Sequence, residues 1–174
     1  ARAAGVRHAV LTGGEPMIFN AIAPLTRGLR EAGLHVTIET AGTVRLDELA
    51  CDLMSISPKL ANSTPTGDPR DPTGAWAERH ERRRLNLPVL TRLLGSSADR
   101  QLKFVVTSPS DLAEIEALLD EIDGWSADDV ILMPEGVTLP EPGAVSWVVE
   151  ACDERGWRYG HRLHIELFGD TRGT

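Results

Sequence analysis

Cysteine is nearly missing from this chain of 174 residues: Cys51 and Cys152 are the only two, and they lie far apart. A disulfide framework needs more of them, and metal or redox motifs need spacing as tight as C-x-x-C. Both therefore read as buried or half-buried thiols of a reducing compartment, the cytoplasm. A basic excess is lacking too, since 26 acidic side chains outnumber 18 basic ones and the net charge is -8. That balance excludes a nucleic-acid surface, which is built on clustered positive charge. No apolar run approaches the ~20 residues that cross a bilayer. Arg2 and Arg7 are followed by no apolar h-region, so neither a membrane span nor a signal peptide is expected. Lysine is almost absent, with Lys59 and Lys103 the only two among the basic residues. A chain that defaults to arginine keeps a lysine where a compact ammonium is wanted.

What is present is ordinary: 41% hydrophobic and 25% charged residues, without repeats or low-complexity tracts. One soluble globular domain spanning residues 1–174 is expected, because domains take ~100–200 residues and disorder needs fewer apolar side chains. Short apolar runs alternate with longer amphipathic ones. Strands are predicted over His8–Thr12, His35–Glu39, Asp52–Ser57, Gln101–Thr107, Asp129–Met133 and Arg162–Phe168. Helices are predicted over Met17–Ala32, Leu85–Leu94, Ser110–Ile122 and Glu141–Arg155, with Pro24 opening a second helical piece of the first. Gly33 and Gly156 stand where C-terminal cap glycines belong, and Ser110 or Asp111 where an N-cap does. The segment Ala61–Trp76, rich in proline and glycine, reads as a long irregular loop. The basic run from His80 to Arg84 reads as a solvated helix face, with an anion-steering rim as the alternative.

Strand–helix alternation makes βαβ units, hence an α/β fold with a mostly parallel sheet. The nearly unbroken apolar strands (Ala9-Val10-Leu11, Phe104-Val105-Val106, Val130-Ile131-Leu132) suggest burial on both faces. A doubly wound open sheet and an open or partial (β/α) barrel both satisfy the pattern.

Chemistry concentrates at the strand ends. Strand one ends in Thr12-Gly13-Gly14-Glu15-Pro16 and strand two in Glu39-Thr40-Ala41-Gly42-Thr43. Strand three ends in Ser57-Pro58-Lys59 and strand five in Met133-Pro134-Glu135-Gly136. In parallel α/β folds such ends share one rim, where ligands bind. Gly13 and Gly14 let a ligand approach the backbone, and Glu15 suits an ammonium group, although a first-turn helix acid would look the same. Glu39 could accept from a ligand hydroxyl or amine, or pair with an arginine. Ser57 and Lys59 offer a hydroxyl and a cation to an anion. His161 and His164 look like metal ligands, but three residues apart on a strand they would point to opposite faces, so the metal reading is rejected. No Walker loop and no Ser-His-Asp arrangement is found.

These residues carry a resemblance. Leu11–Pro16 contains the GGEP motif of radical S-adenosylmethionine enzymes, which alone is specific only to that superfamily. Its order with Glu39–Thr43, Ser57–Lys59, Gln101–Val106, Leu132–Gly136 and the ending His164–Thr174 is more specific, and resembles the 7-carboxy-7-deazaguanine synthase family over nearly the whole chain. The resemblance implies a partial (β/α) barrel of the radical S-adenosylmethionine type. It also implies conversion of 6-carboxy-5,6,7,8-tetrahydropterin to 7-carboxy-7-deazaguanine, a lyase step of queuosine and 7-deazapurine biosynthesis. The cofactors would be S-adenosylmethionine, a 4Fe-4S cluster and magnesium, with an external electron donor. By carry-over Gly13, Gly14, Glu15, Ser57, Pro58, Lys59, Met133, Pro134, Glu135 and Gly136 would hold S-adenosylmethionine. Thr12, Glu39, His164 and Thr174 would meet the pterin.

The sequence departs from the family at its start. The C-x3-C-x2-C cluster motif that precedes the GGEP strand, and the magnesium ligand beside it, are absent, so no metal ligand is assigned. The chain is expected to be the C-terminal portion of such an enzyme, without its opening βα units, inactive alone and prone to form a homodimer through its uncovered edge. Two other readings stand beside this one: a different radical S-adenosylmethionine activity such as a glycyl-radical activase, and a non-catalytic nucleoside-binding α/β module.

Overall fold

Six strands pair in the order in which they occur in the chain. In the computed structural model, which describes residues 5–141 and 143–171, they are β1 (His8–Leu11), β2 (His35–Thr40), β3 (Leu53–Ile56), β4 (Asp99–Val106), β5 (Val130–Pro134) and β6 (Arg158–Tyr159). Every neighbouring pair is parallel. That order decides between the two architectures. A doubly wound sheet reverses its strand order at a switch point, whereas a barrel adds each strand beside the last. There is no reversal here, so the fold is a partial (β/α) barrel. Among the described residues β1 and β6 do not pair, and the sheet stays open.

The two faces of the sheet differ. Ile38, Met54, Ile56, Leu102, Phe104, Val106, Val130 and Leu132 are buried in one cluster with residues of α3 (Leu87–Leu94), α4 (Asp111–Asp120) and α5 (Ser146–Arg155). Each large side chain buried there contributes roughly 1.5–3 kcal/mol. The alternate positions carry Thr37, Glu39, Ser55, Gln101, Lys103, Val105, Ile131 and Met133, a mostly polar face. The expectation that the strands are apolar on both faces is thus corrected. Burial alternates along β4, and the apolar runs are interrupted by polar residues at period two.

Local chemistry accounts for the helix ends. The first predicted helix divides into a 3-10 turn, Pro16–Ile18, and α1, Ile22–Glu31, with Pro24 in the first turn where its missing N–H costs nothing. Gly33 at φ 79° and Gly156 at φ 66° close α1 and α5 as expected. α5 begins at Ser146, five residues later than predicted (141 versus 146), after Gly143 at φ 82°. Ser110 makes no side-chain cap; instead Asp111 Oδ2 accepts from the Thr107 amide at 2.7 Å, the Ser108 amide and Asn62. The predicted loop yields α2, Ala75–Arg83, whose first amides are capped from a distance: buried Asp71 accepts from Trp76 N at 2.7 Å and Ala77 N at 3.3 Å.

The sixth predicted strand is wrong. Arg162–Phe168 contains α6, Leu163–Phe168, and the strand lies earlier, at Arg158–Tyr159. Gly160 donates to the Leu132 carbonyl at 2.8 Å and ends the pairing. A Cβ on Gly160 would stand 2.6 Å from Met133 Cγ, so the chain turns there against β5. The alternation in Leu163–Phe168 is too short to separate the two periods. In the helix Ile165 is buried while Leu163, Leu167 and Phe168 are exposed.

Candidate active site

Parallel strands put their carboxyl ends on one rim, and the residues that follow β1, β2 and β3 meet there. A groove of about 420 Å³ is lined by Thr12, Gly13 and Gly14 after β1, Glu39 on β2, Ser57 and Lys59 after β3, Met133 on β5 and His164 on α6. This volume falls in the range of small-molecule sites, ~300–1,000 Å³. Among the lining residues that sequence reasoning did not assign to a site are Ser55, Lys103 and Arg162.

Gly13 has φ 144°, a conformation that a residue with a Cβ resists, and nothing lies within 4 Å of where that Cβ would be. The turn is therefore open on the groove side. Across it, Lys103 Nζ donates to Glu39 Oε1 at 2.8 Å. That bond and the lysine's charge, helped by Thr12 and opposed by partial burial, hold the Glu39 carboxyl below its ordinary range, so Glu39 is ionised at neutral pH. The Glu39 partner is this lysine from β4 and not an arginine. Ser57 Oγ donates to the Lys103 carbonyl at 3.0 Å, which fixes the backbone beneath the pair. Ser55 Oγ and Arg162 Nε are buried with no partner among the described residues, and both residues line the groove. Such orphaned polar atoms are rare in folded proteins; His35 Nδ1 and Ser97 Oγ, away from the groove, are two more.

Lys59 is placed by an ion-pair relay. Arg84 Nη1 donates to the Lys59 carbonyl at 3.0 Å, and the guanidinium is held by Glu114 through Nη1 and by Glu81 through Nη2, each at 2.6 Å. The Lys59 ammonium has no ion pair among the described residues, whereas Lys103 is committed to Glu39. Glu15 sits behind the glycine turn rather than in the groove wall. Its carboxylate accepts from Thr40 Oγ1 at 2.8 Å, Ala41 N at 3.1 Å and Met17 N at 3.3 Å, so it staples the end of β1 to the end of β2.

The remaining expected residues border adjoining cavities. Pro58 and Glu135 line one that shares Ser57 and Lys59 with the groove. Pro134 and Gly136 line a smaller one that shares Arg162, whose Nη1 donates to the Gly136 carbonyl at 2.6 Å. Gly14, Glu39 and Lys59 thus share one groove, and Gly136 adjoins it through Arg162. Thr174 lies outside the described residues.

No family model matches the chain. Among curated proteins it is 47% identical over 175 residues to the 7-carboxy-7-deazaguanine synthase of Halobacterium salinarum, covering 96% of this chain and 67% of that protein. It is 44% identical to that of Rhodopirellula baltica, covering 98% of this chain and 65% of the relative. Among solved structures it matches the crystal structure of QueE from Escherichia coli with a TM-score of 0.58 and 26% identity, over 88% of this chain and 55% of that one. The chain belongs to the 7-carboxy-7-deazaguanine synthase family. It spans about two thirds of the length of these curated relatives.

For a member of this synthase family, the described thiols do not fit an iron–sulfur cluster. Cys51 Sγ donates to the Leu53 carbonyl at 3.0 Å, Cys152 is buried in α5, and burial pushes both thiols up, away from the thiolate form that ligates iron. Neither lines the groove. The argument from strand parity against a histidine metal site falls with the sixth strand. His161 Nε2 instead meets Glu166 Oε2 at 2.6 Å, and among the described residues no three His, Cys, Asp or Glu side chains are grouped to hold a metal. No helix among the described residues is long and apolar enough to cross a membrane.

The groove does fit a zwitterionic nucleoside cofactor: it offers an open glycine turn, a lysine ammonium without an ion pair among the described residues, and an ionised glutamate.

Proposed function

We propose that this chain forms the ligand-binding part of an enzyme that converts 6-carboxy-5,6,7,8-tetrahydropterin to 7-carboxy-7-deazaguanine. One observation carries the reading: an ionised Glu39 and a Lys59 without an ion pair among the described residues share a single groove with the Gly13-Gly14 turn, in a chain 47% identical to a named synthase. S-adenosylmethionine held there would supply hydrogen-abstracting radical chemistry, with the electron coming from a 4Fe-4S cluster that Cys51 and Cys152 do not ligate.

The chain's own residues bind and orient. Gly13 and Gly14 present backbone to the methionine end of S-adenosylmethionine, with Glu15 keeping the turn in place from behind. Lys59, flanked by Ser57 and Pro58, attracts the methionine carboxylate. Met133, Pro134, Glu135 and Gly136 bracket the nucleoside, with Arg162 anchoring the Gly136 carbonyl. Glu39 accepts N–H donors from the edge of the aminopyrimidinone ring; Lys103 keeps it ionised for that task and Thr12 helps. Ser55 provides a hydroxyl at the groove floor, and His164 meets the pterin. A carboxylate facing two adjacent ring N–H groups is a strong charge-assisted match. We place the protein in the cytoplasm as a single domain served by an external reductant, with magnesium bound outside the described residues. It would self-associate at β1, where Val10, Ile18 and Phe19 are more than half exposed.

The test is anaerobic turnover of 6-carboxy-5,6,7,8-tetrahydropterin by the cluster-loaded enzyme, with Glu39→Gln beside the wild type. Formation of 7-carboxy-7-deazaguanine by the wild type, and a loss of at least tenfold in kcat/KM in the variant, is expected. Cofactor cleavage without pterin consumption would refute the substrate and favour a different radical activity.

A further inference from the structure

A second cavity, larger than the groove, lies beside it. About 940 Å³ in volume, it opens between α2 and the loop after β2. Its walls join an apolar patch of Trp76, Val44 and Leu85 to the cations of α2, and Lys59 and Ala41 line both this cavity and the groove.

The cations divide into two sets. Arg82 pairs with Glu78, and Arg84 pairs with Glu81 and Glu114, so these two are neutralised within the fold. Arg79, Arg83 and Lys59 have no ion pair or side-chain hydrogen bond among the described residues. Arg79 and Arg83 are also four residues apart on one helix, a spacing at which like charges repel and destabilise it. A merely solvated helix face would alternate signs at that spacing, as Glu78 and Arg82 do. Two unpaired guanidinium groups and an ammonium therefore converge on one cavity in a chain whose net charge is -8.

We propose that this cavity is an anion-capture site, through which a carboxylate-bearing heterocycle reaches the groove. The proposal rests on the pterin reading, since the substrate named there carries a carboxylate. An acidic chain repels such a ligand at long range, and a cationic recess with low-dielectric walls focuses the field and reverses the repulsion locally. Trp76, 44% exposed, gives the planar ring an apolar surface on which to land. Lys59, on the boundary of both cavities, leads the carboxylate inward. The capture site acts on encounter, so its arginines govern the rate of association and not the hold on the bound ligand.

The experiment is stopped-flow binding of fluorescent 6-carboxypterin to the wild-type chain and to the double variant Arg79→Gln with Arg83→Gln. Pterin without the carboxylate is the control. Both arginines are exposed, and circular dichroism checks that the fold is kept. At low salt the variant should associate with 6-carboxypterin about tenfold more slowly. Its dissociation rate should be unchanged, and the difference should vanish near 1 M salt, where charges are screened beyond ~3 Å. Uncarboxylated pterin should bind both proteins at the same rate. Equal association rates for 6-carboxypterin would overturn the capture site alone. Failure of the wild type to bind either pterin would overturn the substrate reading, and the capture of that substrate with it.

Discussion

Replacing Lys103 by methionine keeps the length of the side chain and removes the ammonium that holds Glu39. The Glu39 side chain is 40% exposed and that of Lys103 22%, so water screens the pair. Its coupling then lies nearer the range of exposed pairs, ~0.2–1 kcal/mol, than the several kcal/mol of a buried one. A loss near the upper end lowers Tm by about 2–4 °C in a chain of this size. The pH dependence tests the cause. In the wild type the Glu39 carboxyl is held below its ordinary range by Lys103, so the pair stabilises fully above the ordinary carboxylate pKa. That contribution is lost as pH falls through the depressed value. With Lys103 gone, burial outweighs the Thr12 hydrogen bond and pushes the carboxyl up instead. The unpaired anion is then a burden at neutral pH, and protonation relieves it as the pH falls. Thermal unfolding followed by circular dichroism at pH 7 and at pH 3 should therefore show a gap between the two proteins that shrinks with acidification. A gap that is constant, or wider at pH 3, would refute the coupling. Binding of 6-carboxypterin should weaken in parallel, and in the variant it should fail at a higher pH than in the wild type, because a protonated Glu39 no longer accepts from two ring donors.

Other substitutions probe the rim and its supports. Lys59→Ala should weaken S-adenosylmethionine binding about tenfold by calorimetry, or ~1.4 kcal/mol, while leaving Tm nearly unchanged, since its ammonium has no ion pair among the described residues to lose. Gly42→Ala should cost at least ~2 kcal/mol in urea unfolding, because φ is +74° and the new Cβ would stand 2.3 Å from Leu90 Cδ2. Glu15→Gln should cost about 1.5–3 kcal/mol, because an amide keeps one acceptor oxygen and turns an NH2 donor toward the others, so it cannot accept from Thr40, Ala41 and Met17 together. If binding affinity fell without any change in stability, Glu15 would contact the ligand directly.

Much of the rim was legible because a parallel sheet converts sequence position into spatial position. Each motif followed a strand, and right-handed crossovers bring every such end to the same side. What could not be read is which side chains pair across the rim. Glu39 and Lys103 are 64 residues apart, and only the register of β2 on β3 and β3 on β4 brings them together. Glu15 and Thr40 are likewise 25 apart, so a glutamate that looks ready for an ammonium is already satisfied within the fold. The helix at Leu163–Phe168 was misread because six residues can satisfy an alternating and a helical pattern alike.

Lys103 shows where a closer reading would have reached further. In Gln101-Leu102-Lys103-Phe104-Val105, polar residues alternate with Leu102 and Phe104, yet the apolar end of the run draws the eye to burial on both sides. A strand deep in a parallel sheet has no need of a lysine unless one face is not core. The same parity in Glu39 beside Ile38, and in Ser55 and Ser57 around Ile56, marks a polar face running through three consecutive strands. Water alone would explain one polar residue on such a face. Polar residues on the same face of three neighbouring strands, one an anion and another, two residues further along its strand, the cation that keeps it charged, imply that this face of the open barrel was shaped for a polar ligand.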